Sequence, residues 1–109
     1  MTRTVQTLLE DARDALVLAG LDELEWTLAE VMSASRTRTG IVVGDLRWRS
    51  QKLRFAAVDR SIDYRLAQHG AAWQPGLSGA FWVRLVIHRR YGFQAEIHDV
   101  DVRSLTGGT

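Results

Sequence analysis

Cysteine is absent from this chain of 109 residues, and proline occurs only once. The missing cysteine excludes disulfide bonds and thiolate metal sites, and it is typical of a reducing compartment. No apolar run approaches the length of a membrane span, and the N-terminus lacks the basic-then-apolar order of a signal peptide. We therefore expect a cytoplasmic protein of one domain, with enough apolar residues (46%) to build a single core.

Sequence signatures of catalysis are also scarce. The chain has no phosphate-binding loop, no zinc-ligand spacing and no carboxylate pair at catalytic spacing. His98 lies near Asp99 and Asp101, but adjacent residues of a strand point to opposite faces of a sheet. The sequence therefore predicts a protein that is not an enzyme and that binds neither a cofactor nor a metal.

Charged residues are distributed unevenly along the chain. Residues 1–39 contain four arginines against seven acidic side chains, a net charge of −3. Residues 40–109 contain ten basic against six acidic side chains, a net charge of +4, with Lys52 as the only lysine. This mildly basic segment predicts modest, salt-sensitive binding of phosphate groups.

A helical spacing of apolar residues opens the chain. Thr4–Ala19 carries one apolar stripe, and Gly20 occupies the position at which a left-handed residue ends a helix. Asp22 is a suitable cap for a second helix. The two helices would form an αα-hairpin over residues 1–34, which either covers the sheet or provides a docking or dimer surface, with Trp26 as a candidate anchor.

Alternation of apolar and polar residues with a period of two dominates residues 41–66 and predicts half-buried strands. We predict strands at Ile41–Arg49, Lys52–Asp59 and Ser61–Ala67, joined by tight turns into an antiparallel meander. Residues at alternate positions along these strands are apolar, and several of the residues between them are arginines. The predicted sheet therefore has one apolar face and one cationic face.

Glycine and proline interrupt the pattern at residues 68–79, where Trp73 is predicted to plug one end of the core. Ala80–Arg90 and Phe93–Val102 then form a long hairpin. The apolar parity slips near His98, which predicts a β-bulge. The predicted elements thus follow the order of an OB-fold, a five-stranded Greek-key barrel: a meander, a break and a hairpin. We therefore predict an OB-fold barrel at residues 40–105.

Several short motifs resemble the oligonucleotide-binding domain at the N-terminus of the exonuclease VII large subunit, over residues 40–103. The resemblance implies an OB-fold that binds single-stranded nucleic acid, without that enzyme's catalytic region. Leu85 stands where the family often has glycine, and the helix expected between strands three and four is nearly absent from our prediction. The motifs are Gly44-Asp45-Leu46, the series Leu53, Phe55, Ala57 and Asp59, the pair Val83-Arg84, and Phe93-Gln94.

Basic residues flank the strands on which an OB-fold binds its ligand, and single-strand binders combine such residues with aromatic platforms. In this interpretation the arginines and lysine contact phosphates, while Tyr91 and Trp48 stack on bases. The alternative is a solvated surface on which these arginines make cross-strand ion pairs. The predicted nucleic-acid-binding residues are Arg47, Trp48, Arg49, Lys52, Arg54, Arg65, His88, Arg89, Arg90 and Tyr91.

The sequence thus favours a non-catalytic protein that binds single-stranded DNA or RNA, as an accessory subunit or domain of a DNA-processing enzyme. The alternative is a protein-interaction or oligomerisation module that has kept the barrel without nucleic-acid binding. Its predicted partner-binding residues are Trp26 and Trp82, since Trp82 points outward by parity. The partner would be a larger catalytic protein or a second copy bound through the helical hairpin.

Overall fold

A closed five-stranded β-barrel forms the centre of the protein, as seen in a computed structural model that describes residues 4–20, 22–90 and 92–107. Helix α1 precedes the barrel, helix α2 lies between the third and fourth strands, and a short 3₁₀ helix follows the fifth. The elements are α1 (Val5–Leu18), β1 (Glu25–Arg36), β2 (Val42–Trp48), β3 (Gln51–Ala57), α2 (Ser61–Gln68), β4 (Ser78–His88), β5 (Gly92–Val100) and the 3₁₀ helix (Val102–Ser104).

The strands follow the order β1-β2-β3-β5-β4 around the barrel, and β1 closes it by pairing with β4. All neighbours are antiparallel except β3 and β5, which run parallel from Arg54↔Gln94 to Ala57↔Ile97. Strand β1 pairs with β2 through its second half and with β4 through its first half, and Glu30 belongs to both ladders. The mainly β fold and the barrel of five strands are therefore confirmed.

The core fills the barrel interior with inward side chains from every strand, including fully buried Phe55, Phe81 and Ile97. One end of the barrel, here called the helix end, is closed by α2 and by Trp73. The Trp73 ring stacks at centroid distances of 5.4 Å from Phe55 and 5.9 Å from Phe81. Its Nε1–H donates a hydrogen bond of 2.9 Å to Asp63, so the predicted plug is confirmed.

Helix α1 begins at Thr4, whose hydroxyl accepts a hydrogen bond from the Thr7 N–H at 3.1 Å. Beyond its last turn, Gly20 has φ +72°, which is the left-handed conformation predicted for this residue. The helix packs against β4, and Leu16 is its buried residue. This first helix agrees with the prediction for Thr4–Ala19.

The predicted second helix is wrong, because Glu25–Arg36 forms strand β1 and belongs to the barrel. The apolar residues Leu24, Leu28 and Val31 have helical spacing, but Leu28 is exposed while Val31 is buried. They lie on opposite sides of the barrel wall, so their spacing does not define one face. Within the described residues 4–20 and 22–34 no αα-hairpin forms, and α1 is the one helix that precedes the barrel there.

The predicted third strand is also wrong, because Ser61–Gln68 forms helix α2. Ile62 and Leu66 are buried four residues apart, whereas Tyr64 is exposed between them. The Asp59 carboxylate accepts a hydrogen bond of 2.9 Å from the Ser61 N–H and so stabilises the first turn of the helix. The chain therefore has a helix between β3 and β4, at the position of the predicted third strand.

The other strands match the prediction to within two residues at each end, and the bulge is confirmed. In the β4–β5 ladder Trp82 pairs with Asp99, and Val83 pairs with Ile97. This register leaves His98 as the extra residue on β5, so the side chains beyond it return to the core, as fully buried Val100 shows.

Candidate nucleic-acid interface

Two tight turns lie at the end of the barrel opposite α2, here called the hairpin end. Arg49 and Ser50 join β2 to β3, and the turn after β4 includes Arg89 and Arg90. The parallel register of β3 and β5 brings both turns to the same end. Arg49 adopts φ +57°, the left-handed conformation that a two-residue hairpin turn requires.

Arginine side chains at both turns are exposed. Among the ion pairs between residues that the structure describes, none includes Arg49, Arg89 or Arg90. The Arg90 N–H donates a hydrogen bond of 3.0 Å to Nδ1 of His88 and so shapes its turn. Three guanidinium groups at one end of the barrel are therefore available to an anionic ligand.

The outer face of β2 and β3 carries the remaining cations of the predicted site. Arg47 Nε lies 2.8 Å from the Glu30 carboxylate, and Lys52 Nζ lies 3.7 Å from that of Asp45. The hydrogen bond from Arg47 holds the pKa of Glu30 below its ordinary value, and the same bond raises the pKa of Arg47. The alternative interpretation, cross-strand ion pairs, is thus correct for Arg47 and Lys52, while Arg54 is half-buried beside them.

Two aromatic side chains stand at the mouth of the barrel at this end. Trp48 is 52% exposed, although its parity matches that of buried Leu46. Phe93 is 51% exposed, although its parity matches that of buried Ala95. Each of these residues lies at the end of its strand next to a turn, on the side of the strand that faces the barrel interior. The core does not extend far enough along the barrel to cover it.

The mouth itself is an open apolar cavity of about 190 Å³ whose lining comes from all five strands. Inward side chains such as Leu46, Leu53 and Val83 form its floor, and Trp48 and Lys52 lie at its rim. A neighbouring cavity of about 180 Å³ shares Leu53 and Val83 and reaches Glu25 on the other side of the mouth. The hairpin end is therefore open, whereas the helix end is closed.

A longer cleft of about 550 Å³ crosses the outside of β1. Trp48 and Arg49 line one end of this cleft, and Gly79 and Ser104 line the other. The Arg47–Glu30 pair lies between them. The cleft joins the basic turn to the outer wall of the barrel, so an extended polymer has room to lie across β1.

Arg65 does not belong to the basic surface, which corrects the prediction that it lies on a third strand. It lies on α2, where its guanidinium makes an ion pair with Asp99 and donates a hydrogen bond of 3.1 Å to the Val100 carbonyl. These contacts attach α2 to the end of β5, away from the hairpin end.

The other predicted residues that the structure describes fall into two groups, one at the hairpin end and one on the outer face of β2 and β3. Tyr91 lies outside the described residues, so its predicted stacking role stays a prediction. Phe93 is predicted as the first residue of a strand and as part of the Phe93-Gln94 motif, and its exposure is not predicted. The sequence does contain a signal for this exposure. Phe93 directly follows one turn and Trp48 directly precedes the other, and both lie on the apolar side of their strands.

Trp26 and Trp82, the predicted partner-binding residues, form a cross-strand pair on the outside of β1 and β4. Their ring centroids are 5.0 Å apart with planes tilted by 50°. Trp26 remains half-exposed, and so does Leu28 on the same face of β1. The two rings cover each other in part and leave an apolar patch.

Comparison with known proteins adds no assignment to this geometry. No family model matches the chain, and no curated protein matches its sequence. Within the described residues, no group of three or more histidine, cysteine or acidic side chains is placed to hold a metal ion. No helix in the described ranges is both long and apolar enough to cross a membrane.

Proposed function

We propose that this protein has an OB-fold and binds single-stranded nucleic acid without catalysing a reaction. The order β1-β2-β3-β5-β4, the parallel β3–β5 pair and the helix between β3 and β4 support the assignment.

The observation that carries the proposal is the meeting of two basic turns and two half-exposed aromatic side chains at the hairpin end. Arg49, Arg89 and Arg90 provide positive charge for phosphates, and Trp48 and Phe93 offer ring faces to bases. Stacking of a base on an aromatic side chain contributes about 1–3 kcal/mol and tolerates any sequence. Because Arg47 and Lys52 are already paired with carboxylates, affinity should depend most on the turns.

The experiment is a fluorescence anisotropy titration of a labelled single-stranded oligonucleotide at several salt concentrations, with the duplex as a competitor. The variant R89E/R90E reverses two charges at the hairpin end. The matched control R38E/R103E reverses two exposed arginines at the helix end. Both variants change the net charge equally, so a difference between them reports position and not total charge.

We expect R89E/R90E to weaken binding strongly and to lower the slope of log affinity against log salt by about 0.7 for each lost phosphate contact. R38E/R103E should keep most of the affinity. Equal losses of affinity in the two variants would show that binding is nonspecific charge attraction. Absence of binding by the wild-type protein at low salt would refute the proposal.

A second candidate is a protein-interaction module, favoured by the exposed apolar patch around Trp26 and Leu28. The variant W26S should weaken partner binding without changing the affinity for an oligonucleotide, because Trp26 lines neither the mouth of the barrel nor the cleft across β1. If the wild-type protein binds no single strand, this candidate takes the place of the first.

A further inference from the structure

Helix α1 presents more apolar surface than its own barrel covers. Val5 is 75% exposed and Leu8 is 54% exposed, whereas Leu16 near the other end of the helix is buried against β4. A cavity of about 330 Å³ separates the C-terminal half of α1 from residues 84–87 of β4, so even that half is loosely packed. Exposed leucine and valine in one row of a helix indicate a surface that another element covers.

The same helix is acidic on its exposed sides. Glu10, Asp11 and Asp14 are exposed along it, and Arg13 is its one described basic residue. The mouth of the barrel has the complementary character, because its apolar cavity lies between the turns that carry Arg49, Arg89 and Arg90. One chain therefore holds an acidic helix with exposed apolar side chains and a basic rim around an apolar opening.

We propose that these two surfaces bind each other between two copies of the chain. The first turns of α1 from one copy lie over the barrel mouth of the other, with Leu8 directed into the cavity beside Trp48. Glu23 and Glu25 lie along the opposite rim of the mouth, so the acidic helix must approach on the side of the two hairpin turns. This inference does not rest on the proposed nucleic-acid function, and the helix would compete with an oligonucleotide for the same end of the barrel.

The geometry favours a closed dimer. Helix α1 packs on residues 84–87 of β4, which lie in the half of β4 nearest the hairpin end, so the helix and the mouth of one copy are close together. When α1 of one copy reaches the mouth of the other, a twofold axis brings the second α1 to the first mouth. The contact then forms twice, and no binding surface remains to extend a chain of copies.

The absence of cysteine allows a direct test by cross-linking. A protein carrying only L8C is mixed with a protein carrying only Q51C, since Gln51 lines the mouth. Any disulfide between these two positions then joins different copies. The control pairs Q51C with L18C, because Leu18 is 89% exposed and lies two residues beyond Leu16, on the other side of the helix.

We expect the L8C–Q51C disulfide to form at least about tenfold faster than the L18C–Q51C disulfide under the same mild oxidation. Its rate should fall at high salt, because the acidic helix and the basic rim attract each other. Equal rates for the two pairs, or no disulfide for L8C with Q51C, would overturn the proposed contact.

Sedimentation equilibrium provides an independent measurement on unmodified protein. The wild-type chain should be a dimer whose dissociation constant rises with salt. L8S should weaken the dimer about a hundredfold, because the contact forms twice and loss of each buried leucine side chain corresponds to about tenfold. L18S should leave it unchanged. A wild-type monomer at all concentrations would refute the inference, whether or not the protein binds nucleic acid.

Discussion

Trp73 offers the sharpest test of how the barrel is closed at the helix end. The substitution Trp73→Phe keeps a ring between Phe55 and Phe81 but removes the N–H that donates to Asp63 at 2.9 Å. A hydrogen bond to a charged group contributes about 1.5–3 kcal/mol. Asp63 keeps its ion pair with Arg36 at 3.0 Å, so the carboxylate is not left alone and the lower part of that range applies.

The smaller ring also leaves space in the core, which costs about 1 kcal/mol for each missing methyl-sized volume. Together these effects should lower the free energy of unfolding by about 2–3 kcal/mol. Trp73→Ala removes both ring stacks as well and should cost about 3–5 kcal/mol. Since a domain of this kind has about 5–15 kcal/mol of stability in total, the alanine variant should lose a large fraction of its stability.

Urea denaturation followed by far-ultraviolet circular dichroism measures these losses without relying on tryptophan emission. The matched control is Trp48→Phe, the same replacement at a half-exposed site, which should change the free energy of unfolding by no more than about 0.5 kcal/mol. If Trp73→Phe and Trp48→Phe unfold at the same urea concentration, Trp73 does not close the barrel in the way described.

Three further predictions concern the backbone, a cap and an ion pair. Gly44→Ala should lower the melting temperature sharply or prevent folding, because a methyl group there would lie 1.9 Å from the Ser33 carbonyl oxygen; a melting temperature equal to wild type would contradict this close approach. Hydrogen bonds from the Ser61 side chain and then from its N–H hold the pKa of Asp59 below its ordinary value. This contribution is therefore present above the ordinary carboxyl pKa and is lost as pH falls through the lowered one. The stability difference between wild type and Asp59→Asn, measured by urea titrations at several pH values, should accordingly shrink in acid. Arg65→Met removes a partly exposed ion pair and a carbonyl hydrogen bond, so it should cost about 1 kcal/mol in a urea titration without changing oligonucleotide affinity.

The sequence predicted the two hairpins well because their side chains alternate cleanly between an apolar and a polar face. The prediction for strand β1 was wrong for the opposite reason, since this strand is apolar on both faces. Its inner residues Ala29 and Val31 are small enough to fit the interior, while Trp26 and Leu28 face outward. The mixture creates intervals of three and four that imitate a helix, and pairing with the partner strands β2 and β4 decides between the two structures.

Helix α2 was predicted to be a strand because its eight residues fit both the two-residue period of a strand and the longer period of a helix. Ile62, Tyr64 and Leu66 alternate, but Ile62 and Leu66 are also one helical turn apart. The capping bond from Ser61 to Asp59 favours the helix, and that signal was available in the sequence. The same error assigned Arg65 to a strand that does not form, whereas Arg49, Arg89 and Arg90 lie at the turns of the two predicted hairpins.

The double pairing of β1 has a consequence for any attempt to divide the chain. Its ladder with β4 joins Glu25 to Val83, residues far apart in sequence, and its ladder with β2 completes the circle. A fragment beginning near residue 40 would keep four strands but expose the unpaired edges of β2 and β4, which invites association with other chains. Because the closing pairs are so distant in sequence, closure should be a late and slow event in folding. The first third of the chain is thus needed to make the remainder a barrel.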